Sequence, residues 1–311
     1  MIFIMASELK TLNYNCIICE GNRFTEVYDL KKISNKPYKI IKCLNCNLVS
    51  IYPIPTRNFI KEYYNNPLYS ESAYFRNMTV NFYGSPEAKL FLKGLNLIEK
   101  FYHEKGKILD VGCSSGVFLN MAKSRGWETV GIDISRDFVN YAKKNFELDV
   151  RLGCLEDFSF EENSLDVITL WDLVEHLTEP NKLLIEVYRI LKPGGIILIL
   201  TPDQDSLIKK ITDLSYKISF GKWKTPVSVV YDIHHLCYFS TRNITKLLNK
   251  IGFKTIYLVK EETILDRIIG EKSDHWVKKN RLIVYGLKTI FFSARLTNKK
   301  NKLLILCNKP K

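Results

Sequence analysis

Four cysteines near the amino terminus are spaced as metal ligands. Cys16 and Cys19 form one pair, Cys43 and Cys46 form a second, and two residues separate the members of each pair. This spacing lets both thiolates of a pair face one ion, and two pairs complete a closed tetrahedron. A site filled by protein cannot activate water, so we predict a structural zinc ion. Two disulfides or a redox pair are the alternatives, although neither pair follows a βαβ strand as redox motifs do.

A second group of residues has the spacing of a nucleotide site. Gly112 and Gly116 lie in the loop DVGCSSG, which follows an apolar strand and precedes a helix. Glycines let the backbone bend tightly and approach a ligand closely. The next predicted strand ends at Asp133, whose carboxylate can accept hydrogen bonds from both hydroxyls of a ribose. This order of elements predicts a nucleotide-like cofactor.

The spacing of the glycines argues against a dinucleotide cofactor. A dinucleotide fingerprint requires glycine at the first, third and sixth positions of the loop. Counted from Gly112, the third position is Ser114 and the sixth is Val117. We therefore do not expect a dehydrogenase.

The elements that position these residues fall into three predicted parts. Residues 1–55 hold both cysteine pairs and short alternating runs typical of a β-ribbon. Residues 56–103 form an aromatic-rich linker and a helix that starts at Pro86. Residues 104–311 alternate strands with helices, which predicts an α/β domain with mainly parallel pairing. Within this last part we expect insertions at about 201–240 and 263–301.

The carboxyl-terminal half is expected to complete the sheet. Residues 254–260 alternate as a strand, and residues 303–307 form a final strand that should close the antiparallel edge. A helix is predicted from Thr241 to Ile251, with its cap at Ser240 or Thr241.

These motifs, in this order, resemble those of class I methyltransferases that use S-adenosylmethionine. The resemblance implies a Rossmann-like sheet of seven strands, the last one antiparallel. It covers nearly the whole chain and weakens after Glu262. One departure is Ser114, where the family usually has glycine. The segments that carry the resemblance are DVGCSSG at 110–116, LGCLED at 152–157, LDVITL at 165–170, WDLVEHL at 171–177 and KPGG at 192–195.

The cysteine pairs and the segment HHLCYFS at 234–240 narrow the resemblance further. With these features, the chain is similar to bacterial-type members of the class that have an amino-terminal zinc ribbon. Many of those proteins methylate sugars and related small molecules in polysaccharide or natural-product pathways. The resemblance therefore implies a sugar, nucleotide-sugar or similar hydroxylated acceptor, methylated at oxygen or carbon.

The resemblance also assigns the cofactor residues. Asp110 would help to hold the amino acid end of S-adenosylmethionine, and Asp133 would hold the ribose. Adenine would be bound by backbone around Leu155, with Glu156 or Asp157 as less certain partners. Trp171 would form a wall around the methionine portion or belong to the core. The full predicted set is Asp110, Gly112, Cys113, Gly116, Asp133, Ile134, Leu155, Glu156 and Trp171.

Methyl transfer requires alignment of the acceptor, exclusion of water and, usually, removal of one proton. Histidine is a common base for that proton. His235 matches the usual histidine of the resembling family, so we predict it as the base, with His234 orienting it or the substrate. His176, next to Glu175, is the second candidate. Each of these histidines has an ordinary structural role as its alternative.

The linker contains tyrosines whose rings have the right chemistry to shape an acceptor pocket. Packing is the alternative role for these residues, which are Tyr63, Tyr64, Tyr69, Tyr74 and Tyr83.

Composition leaves other function classes open. The formal net charge of +13 fits either an anionic partner or a lysine-rich surface in water, and we favour the second. A nucleic-acid methyltransferase is an alternative, but strand four lacks a Pro-Pro-aromatic signature and no Pro-Cys nucleophile exists. A non-catalytic binding protein is a further alternative, which the retained cofactor motif argues against.

Cellular location is predicted from what the sequence lacks. The opening apolar run is too short for a signal peptide, no stretch is long enough for a membrane span, and the cysteines do not form a secreted framework. We therefore expect a cytoplasmic protein. The basic segment around residues 278–302 has the pattern of a helix lying on an anionic membrane, although a helix packed on its own domain with its lysines in water is the favoured interpretation.

Overall fold

The computed structural model describes residues 10–11, 14–66, 73–79, 86–231, 234–262 and 281–311. Its strands are β1 (Lys10–Thr11), β2 (Arg23–Asp29), β3 (Lys39–Cys43), β4 (Val49–Tyr52), β5 (Lys107–Val111), β6 (Glu128–Asp133), β7 (Asp149–Leu152), β8 (Leu165–Trp171), β9 (Leu191–Pro202), β10 (Cys237–Tyr238), β11 (Lys254–Glu261) and β12 (Lys302–Asn308). Its helices are α1 (Leu30–Ser34), α2 (Arg57–Tyr64), α3 (Ala73–Thr79), α4 (Pro86–Phe101), α5 (Val117–Lys123), α6 (Arg136–Phe146), α7 (Pro180–Ile190), α8 (Leu207–Ile218), α9 (Thr225–Val230), α10 (Thr241–Ile251) and α11 (Arg281–Leu296). None of the helices in these ranges is long and apolar enough to cross a membrane.

The central sheet has seven strands in the order β11-β12-β9-β8-β5-β6-β7. Strands β5, β6, β7, β8 and β9 pair in parallel, whereas β12 is antiparallel to both β9 and β11. The chain runs outward from β5 to β7 and then returns to β8 on the other side of β5. Ligands of open α/β sheets bind at such a reversal, outside the carboxyl ends of the strands. The predicted α/β fold with one antiparallel strand is confirmed.

The place of the last strand differs from the prediction. We expected residues 303–307 to close the edge, but β12 lies between β9 and β11, so β11 is the edge strand. Leu303 to Cys307 are completely buried, whereas the residues of β11 are mostly half-buried. The unbroken apolar run of β12 is typical of a strand covered on both faces. The sequence already shows this apolar run, but the position of these residues near the end of the chain favoured the prediction of an edge strand.

A second sheet connects the amino-terminal region to the candidate site. Its order is β1-β2-β3-β4-β10, so the short strand β10 near the end of the 201–240 insertion pairs with β4 of the cysteine-bearing segment. The amide of Ile51 donates to the carbonyl of Leu236 at 3.0 Å, and the amide of Leu236 donates to the carbonyl of Glu175 at 2.7 Å. Ile51 and Leu236 belong to one buried cluster that also contains residues of the central sheet. The two sheets therefore share a core.

The helices follow local sequence signals. Helix α10 matches its prediction, and its cap is Ser240, whose hydroxyl accepts a hydrogen bond from the amide of Asn243 at 3.2 Å. Helix α4 starts at Pro86 as predicted. The predicted 201–240 insertion contains α8 and α9. Residues 263–280 of the other expected insertion lie outside the described residues.

Candidate active site

A cavity of about 620 Å³ opens at the carboxyl ends of β5, β6 and β8. One part of its wall comes from the glycine loop, Asp133 and the segment around Leu155. Another part comes from three histidines and the start of α8, and helix α2 of the linker contributes a further wall. A cavity of this size holds a small molecule, and these walls bring residues from distant parts of the sequence to one place.

The glycine loop has the backbone shape that the sequence predicted. Gly112 and Gly116 have φ angles of +75° and +76°, which favour glycine. A Cβ atom on Gly116 would lie 2.8 Å from the side chain of Leu148 and 2.9 Å from that of Ala142, so glycine also allows the loop to pack closely. Ser114 has a φ of 50° although it is not glycine. Its buried hydroxyl has no hydrogen-bond partner and lines the cavity, where it can bind a ligand.

Asp133 ends β6 at the cavity wall. Its carboxylate accepts hydrogen bonds from the amides of Ser114 and Ser135, both at 2.8 Å. Burial raises the pKa of Asp133 to about 6, although these amides act in the opposite direction. The two hydrogen bonds fix the orientation of a carboxylate that still has lone pairs for hydroxyl donors.

Asp110 lies behind the cavity wall. It is 1% exposed, and its carboxyl accepts a hydrogen bond from the hydroxyl of Thr169 at 2.7 Å. Burial raises the pKa of Asp110 to about 8; the Thr169 hydrogen bond lowers it, and the neighbouring charge of Asp133 raises it. A positively charged ligand group nearby would favour the ionised form.

We expect the raised pKa of Asp110 to make the cofactor-free protein less stable as the pH rises. An unfolded aspartate ionises near pH 3.9. The contribution of the protonated carboxyl is thus fully present below that pH and is lost as the pH rises toward about 8. Asp110→Asn cannot ionise, so its free energy of unfolding should fall less between pH 5 and pH 8 than that of the wild type. Urea unfolding at both pH values measures this, and an equal fall in both proteins would contradict it.

The other predicted cofactor residues divide into two groups. Gly112, Ile134, Leu155, Glu156 and Trp171 line the cavity together with Asp133. Asp110, Cys113 and Gly116 do not line the cavity and shape the loop from behind it. Trp171 is 7% exposed and packs against Phe91 and Phe118, so it belongs both to the core and to the wall.

Helix α2 holds residues that the sequence analysis missed. Arg57 pairs with Glu156 at 3.5 Å and with Glu179 at 3.2 Å. Asn65, just after the helix, donates to the carbonyl of Ile134 at 2.9 Å and ties the helix to the loop after β6. Exposed pairs of this kind contribute little stability. The charge of Arg57 and the amide of Asn65 follow no periodic pattern in the sequence, so we did not predict them as site residues.

All three predicted histidines line the same cavity. His176 Nδ1 lies 2.6 Å from the carbonyl oxygen of His234 and donates to it, so Nε2 of neutral His176 carries the lone pair. The rings of His176 and His235 meet edge to face with centroids 4.9 Å apart. The hydroxyl of Tyr63 lies 3.1 Å from His234 Nε2, and that of Tyr64 lies 3.4 Å from His176 Nδ1. Tyr69, Tyr83 and the side chain of Tyr74 lie outside the described residues.

Glu175 is a buried residue that directly precedes His176 of this histidine cluster. It is 1% exposed, and one carboxyl oxygen accepts from the hydroxyl of Thr201 at 2.9 Å. Burial, aided by the charge of Asp172, raises the pKa of Glu175 to about 8, while Lys302 opposes the shift. Ligand atoms of Glu175, His176 and His235 lie within 4.8 Å of one another, which is close enough to hold a metal ion.

The four amino-terminal cysteines converge as predicted. Their sulfur atoms lie within 4.8 Å of one another, and the closest pairs are Cys16 with Cys46 at 3.4 Å and Cys19 with Cys43 at 3.5 Å. These distances are far from a disulfide bond and near the roughly 3.8 Å edge of a zinc–thiolate tetrahedron. Hydrogen bonding with Cys46 lowers the pKa of Cys16 to about 5.

The two cysteine turns have the same backbone geometry. The amide of Glu20 donates to the carbonyl of Cys16 at 2.8 Å, and the amide of Asn47 donates to that of Cys43 at 2.9 Å. Glu20 and Asn47 have φ angles of 61° and 62°. Two matched turns that aim four thiols at one point fit a tetrahedral metal ion.

Similarity to known proteins agrees with this architecture. The solved structure of an S-adenosylmethionine-dependent methyltransferase from Archaeoglobus fulgidus has a TM-score of 0.51 and 21% identity, covering 76% of this chain and 98% of that chain. Phosphoethanolamine N-methyltransferase 2 of Haemonchus contortus, solved with S-adenosyl-L-methionine, has a TM-score of 0.55 and 19% identity, covering 85% and 62%. The fold is thus that of a Rossmann-like methyltransferase.

The sequence identifies the family. Residues 87–258 match the family model of the methyltransferase domain, which is more than half of the chain, and the chain therefore belongs to that family. The ubiquinone biosynthesis O-methyltransferase of Coxiella burnetii is 30% identical over 113 residues, covering 34% of this chain and 48% of the relative. The chain spans about half or less of the length of the first curated relatives that it matches.

Proposed function

We propose that this protein transfers a methyl group from S-adenosylmethionine to a small hydroxylated acceptor, with a histidine as the base. The observation that carries the proposal is that Gly112, Asp133 and the three histidines line one cavity. Membership of the methyltransferase domain family supports the choice of cofactor. The sheet reversal places this cavity where ligands of such folds bind.

The residues of the loop fit S-adenosylmethionine. Asp133 is oriented by two amides to accept hydrogen bonds from the ribose hydroxyls. The hydroxyl of Ser114 is buried, has no partner and lines the cavity, so it can bind a polar group of the same ligand. Asp110 lies behind the loop, and its carboxylate would interact with the positive charge of S-adenosylmethionine. When bound, S-adenosylmethionine supplies an electrophilic methyl group on a sulfonium.

His235 is the proposed base, and His234 and His176 support it. The carbonyl of His234 fixes the ring of His176, which in turn lies edge to face with His235. The neutral imidazole of His235 would take the proton from the acceptor hydroxyl while the methyl carbon exchanges its bond to the sulfonium sulfur for a bond to the acceptor oxygen, leaving a neutral thioether. Tyr63 contacts the ring of His234, with centroids 4.5 Å apart, and limits how that side chain can move.

We propose a sugar or nucleotide sugar as the acceptor. Tyr63 and Tyr64 line the cavity beside the histidines, and aromatic faces stack well on sugar rings. The oxygen or the carbon of such an acceptor is the expected site of methylation. Mass spectrometry of products from candidate nucleotide sugars with labelled S-adenosylmethionine tests this assignment. Labelled product from a nucleic acid, with none from any sugar, would favour the nucleic-acid alternative.

We also propose that Cys16, Cys19, Cys43 and Cys46 hold one structural zinc ion. Four protein ligands would leave no position for water or substrate. The zinc ribbon would thus act on folding and on the position of β10, through β4, rather than in the reaction. A polysaccharide pathway, a cytoplasmic location and a possible membrane contact of the basic carboxyl-terminal segment stay predictions.

Asp133→Ala should weaken binding of S-adenosylmethionine by roughly 1–3 kcal/mol, because the ribose hydroxyls would lose a buried hydrogen-bond acceptor. Isothermal titration calorimetry measures the change. Asp149→Ala is a matched control, since Asp149 is an exposed aspartate on the adjacent strand β7 whose carboxylate contacts Arg151. Equal affinities in the wild type and Asp133→Ala would contradict the assigned role.

A further inference from the structure

Helix α8 begins at the wall of the cavity, on the side of the histidines. Ser206, Ile208 and Lys209 from its first turn line the cavity. The helix has 12 residues, long enough for the partial positive charge of its amino terminus to matter. Neither the glycine loop nor the proposed base uses these residues.

Lys209 is a buried cation whose only described polar partner is neutral. The residue is 5% exposed, and its amine donates to the side-chain oxygen of Gln204 at 2.9 Å. The amine also lies 3.6 Å from the ring centroid of Tyr238 and 4.9 Å from that of Tyr231. No ion pair in the described ranges includes Lys209. Burial lowers the pKa of Lys209 to about 7, although the charges of Asp213, Asp203 and Glu175 oppose the shift. An anion from a ligand beside this amine would favour its charged form.

Ser206 is a second, independent observation at the same place. It is the residue before α8, it is 0% exposed, and its hydroxyl has no hydrogen-bond partner. A serine at this position ordinarily uses its hydroxyl to cap the helix, and this one makes no cap hydrogen bond. The hydroxyl is therefore a buried donor without a partner beside the cavity that Ser206 lines.

The acidic groups near Lys209 are engaged elsewhere. Asp203 is fully buried and pairs with Lys260 at 2.6 Å. Asp213 accepts hydrogen bonds from the hydroxyls of Tyr28 at 2.6 Å and Tyr231 at 3.1 Å. Glu175, the third acid that acts on Lys209, is bonded to Thr201. None of these carboxylates forms an ion pair with Lys209, so its charge is not cancelled by a direct contact.

We infer that Ser206, Lys209 and the first turn of α8 bind a phosphate group of the methyl acceptor. Helix amino termini offer amide donors and positive potential to phosphate, and an amine and a hydroxyl add further donors to its oxygens. The subsite shares its cavity with His235, so a bound phosphate would anchor the acceptor while its hydroxyl faces the base. This inference rests on the proposed function and specifies its acceptor as a phosphate ester or diphosphate.

The test uses inorganic phosphate as the probe and calorimetry at low ionic strength. Lys209→Met keeps the length of the side chain and removes the charge, and we expect it to weaken phosphate binding by about 10- to 100-fold. Ser206→Ala should weaken binding by a smaller factor. Lys210→Met is the matched control, because Lys210 is exposed on the same helix, and its affinity should equal that of the wild type.

Thermal unfolding provides a second readout of phosphate binding and also reports the stability of each variant. Without phosphate, Lys209→Met should be as stable as the wild type or more stable, because the substitution removes a buried charge. At the same concentration, phosphate should raise the melting temperature of the wild type more than that of Lys209→Met. If Lys209→Met fails to fold, Ser206→Ala decides the test through its weaker phosphate binding.

Several results would overturn the inference. No binding of phosphate to the wild type, or equal binding to Lys209→Met, would exclude the subsite. Acetate that binds as tightly as phosphate would assign the site to carboxylates instead. S-adenosylmethionine is titrated in parallel: its failure to bind, with the phosphate pattern intact, would remove the proposed methyl transfer and leave the phosphate site standing.

Discussion

Replacement of His235 by glutamine is expected to lower the rate of methyl transfer by about 10²- to 10⁴-fold, the usual contribution of a positioned base. Glutamine retains a polar side chain of similar reach but cannot accept the proton. The fold and the affinity for S-adenosylmethionine should not change, because His235 is not among the residues assigned to hold the cofactor. Single-turnover kinetics with an acceptor that the wild type methylates measures the rate. Calorimetry measures the affinity for S-adenosylmethionine.

His176→Gln is the internal control for this assignment. The Nδ1 atom of His176 is already committed to the carbonyl of His234, so its main effect should be on the position of His235. We expect a smaller loss of rate than in His235→Gln. The wild-type rate should also fall on acidification, because only neutral imidazole accepts a proton. If His176→Gln abolished turnover while His235→Gln stayed active, the base would be His176.

Loss of the proposed zinc ion is expected to have the second largest effect. Cys43→Ser should release the metal and destabilise the amino-terminal sheet, since such sites contribute their binding energy to folding. Strand β4 pairs with β10, where Cys237 faces Ser50, only two residues after His235. A displacement of about 1 Å in a catalytic group can lower a rate by about 10²-fold. We therefore expect a marked fall in the methyl transfer rate with a much smaller change in cofactor affinity.

The measurement combines elemental analysis, chemical unfolding and kinetics. The wild type should contain one zinc per chain, and Cys43→Ser should contain none. Cys154→Ser is a suitable control, because Cys154 lines the cavity far along the chain from the four clustered thiols and should leave the zinc in place. Wild-type protein prepared without chelators that contains no zinc would refute the proposal.

The sequence predicted those parts of the molecule that depend on local signals. The glycine loop, the end of β6 at Asp133 and the cap at Ser240 lie where predicted, because each depends on a few neighbouring residues. The convergence of Cys16, Cys19, Cys43 and Cys46 was also predictable, since their spacing determines the shape of each turn. The three histidines meet in one cavity because β8 and the segment before β10 end at the same edge of the fold.

Features that depend on long-range packing were not predictable in this way. The pairing of β10 with β4 joins residues almost 190 positions apart and involves a strand of two residues. The same limit applies to Asn65, which ties α2 to the loop after β6. Lys209 gave no signal because a lysine in a helix is ordinarily solvated, and only the packing of Tyr231 and Tyr238 buries it.

The affinity of the wild-type protein for S-adenosylmethionine, compared with its affinity for NAD, tests the central claim most directly. Calorimetric titration of the zinc-loaded protein with each compound gives both values. Binding of S-adenosylmethionine at one site per chain, with NAD bound more weakly or not at all, is the predicted result. Tighter binding of NAD, or no binding of S-adenosylmethionine, would contradict the assignment of the cavity to methyl transfer.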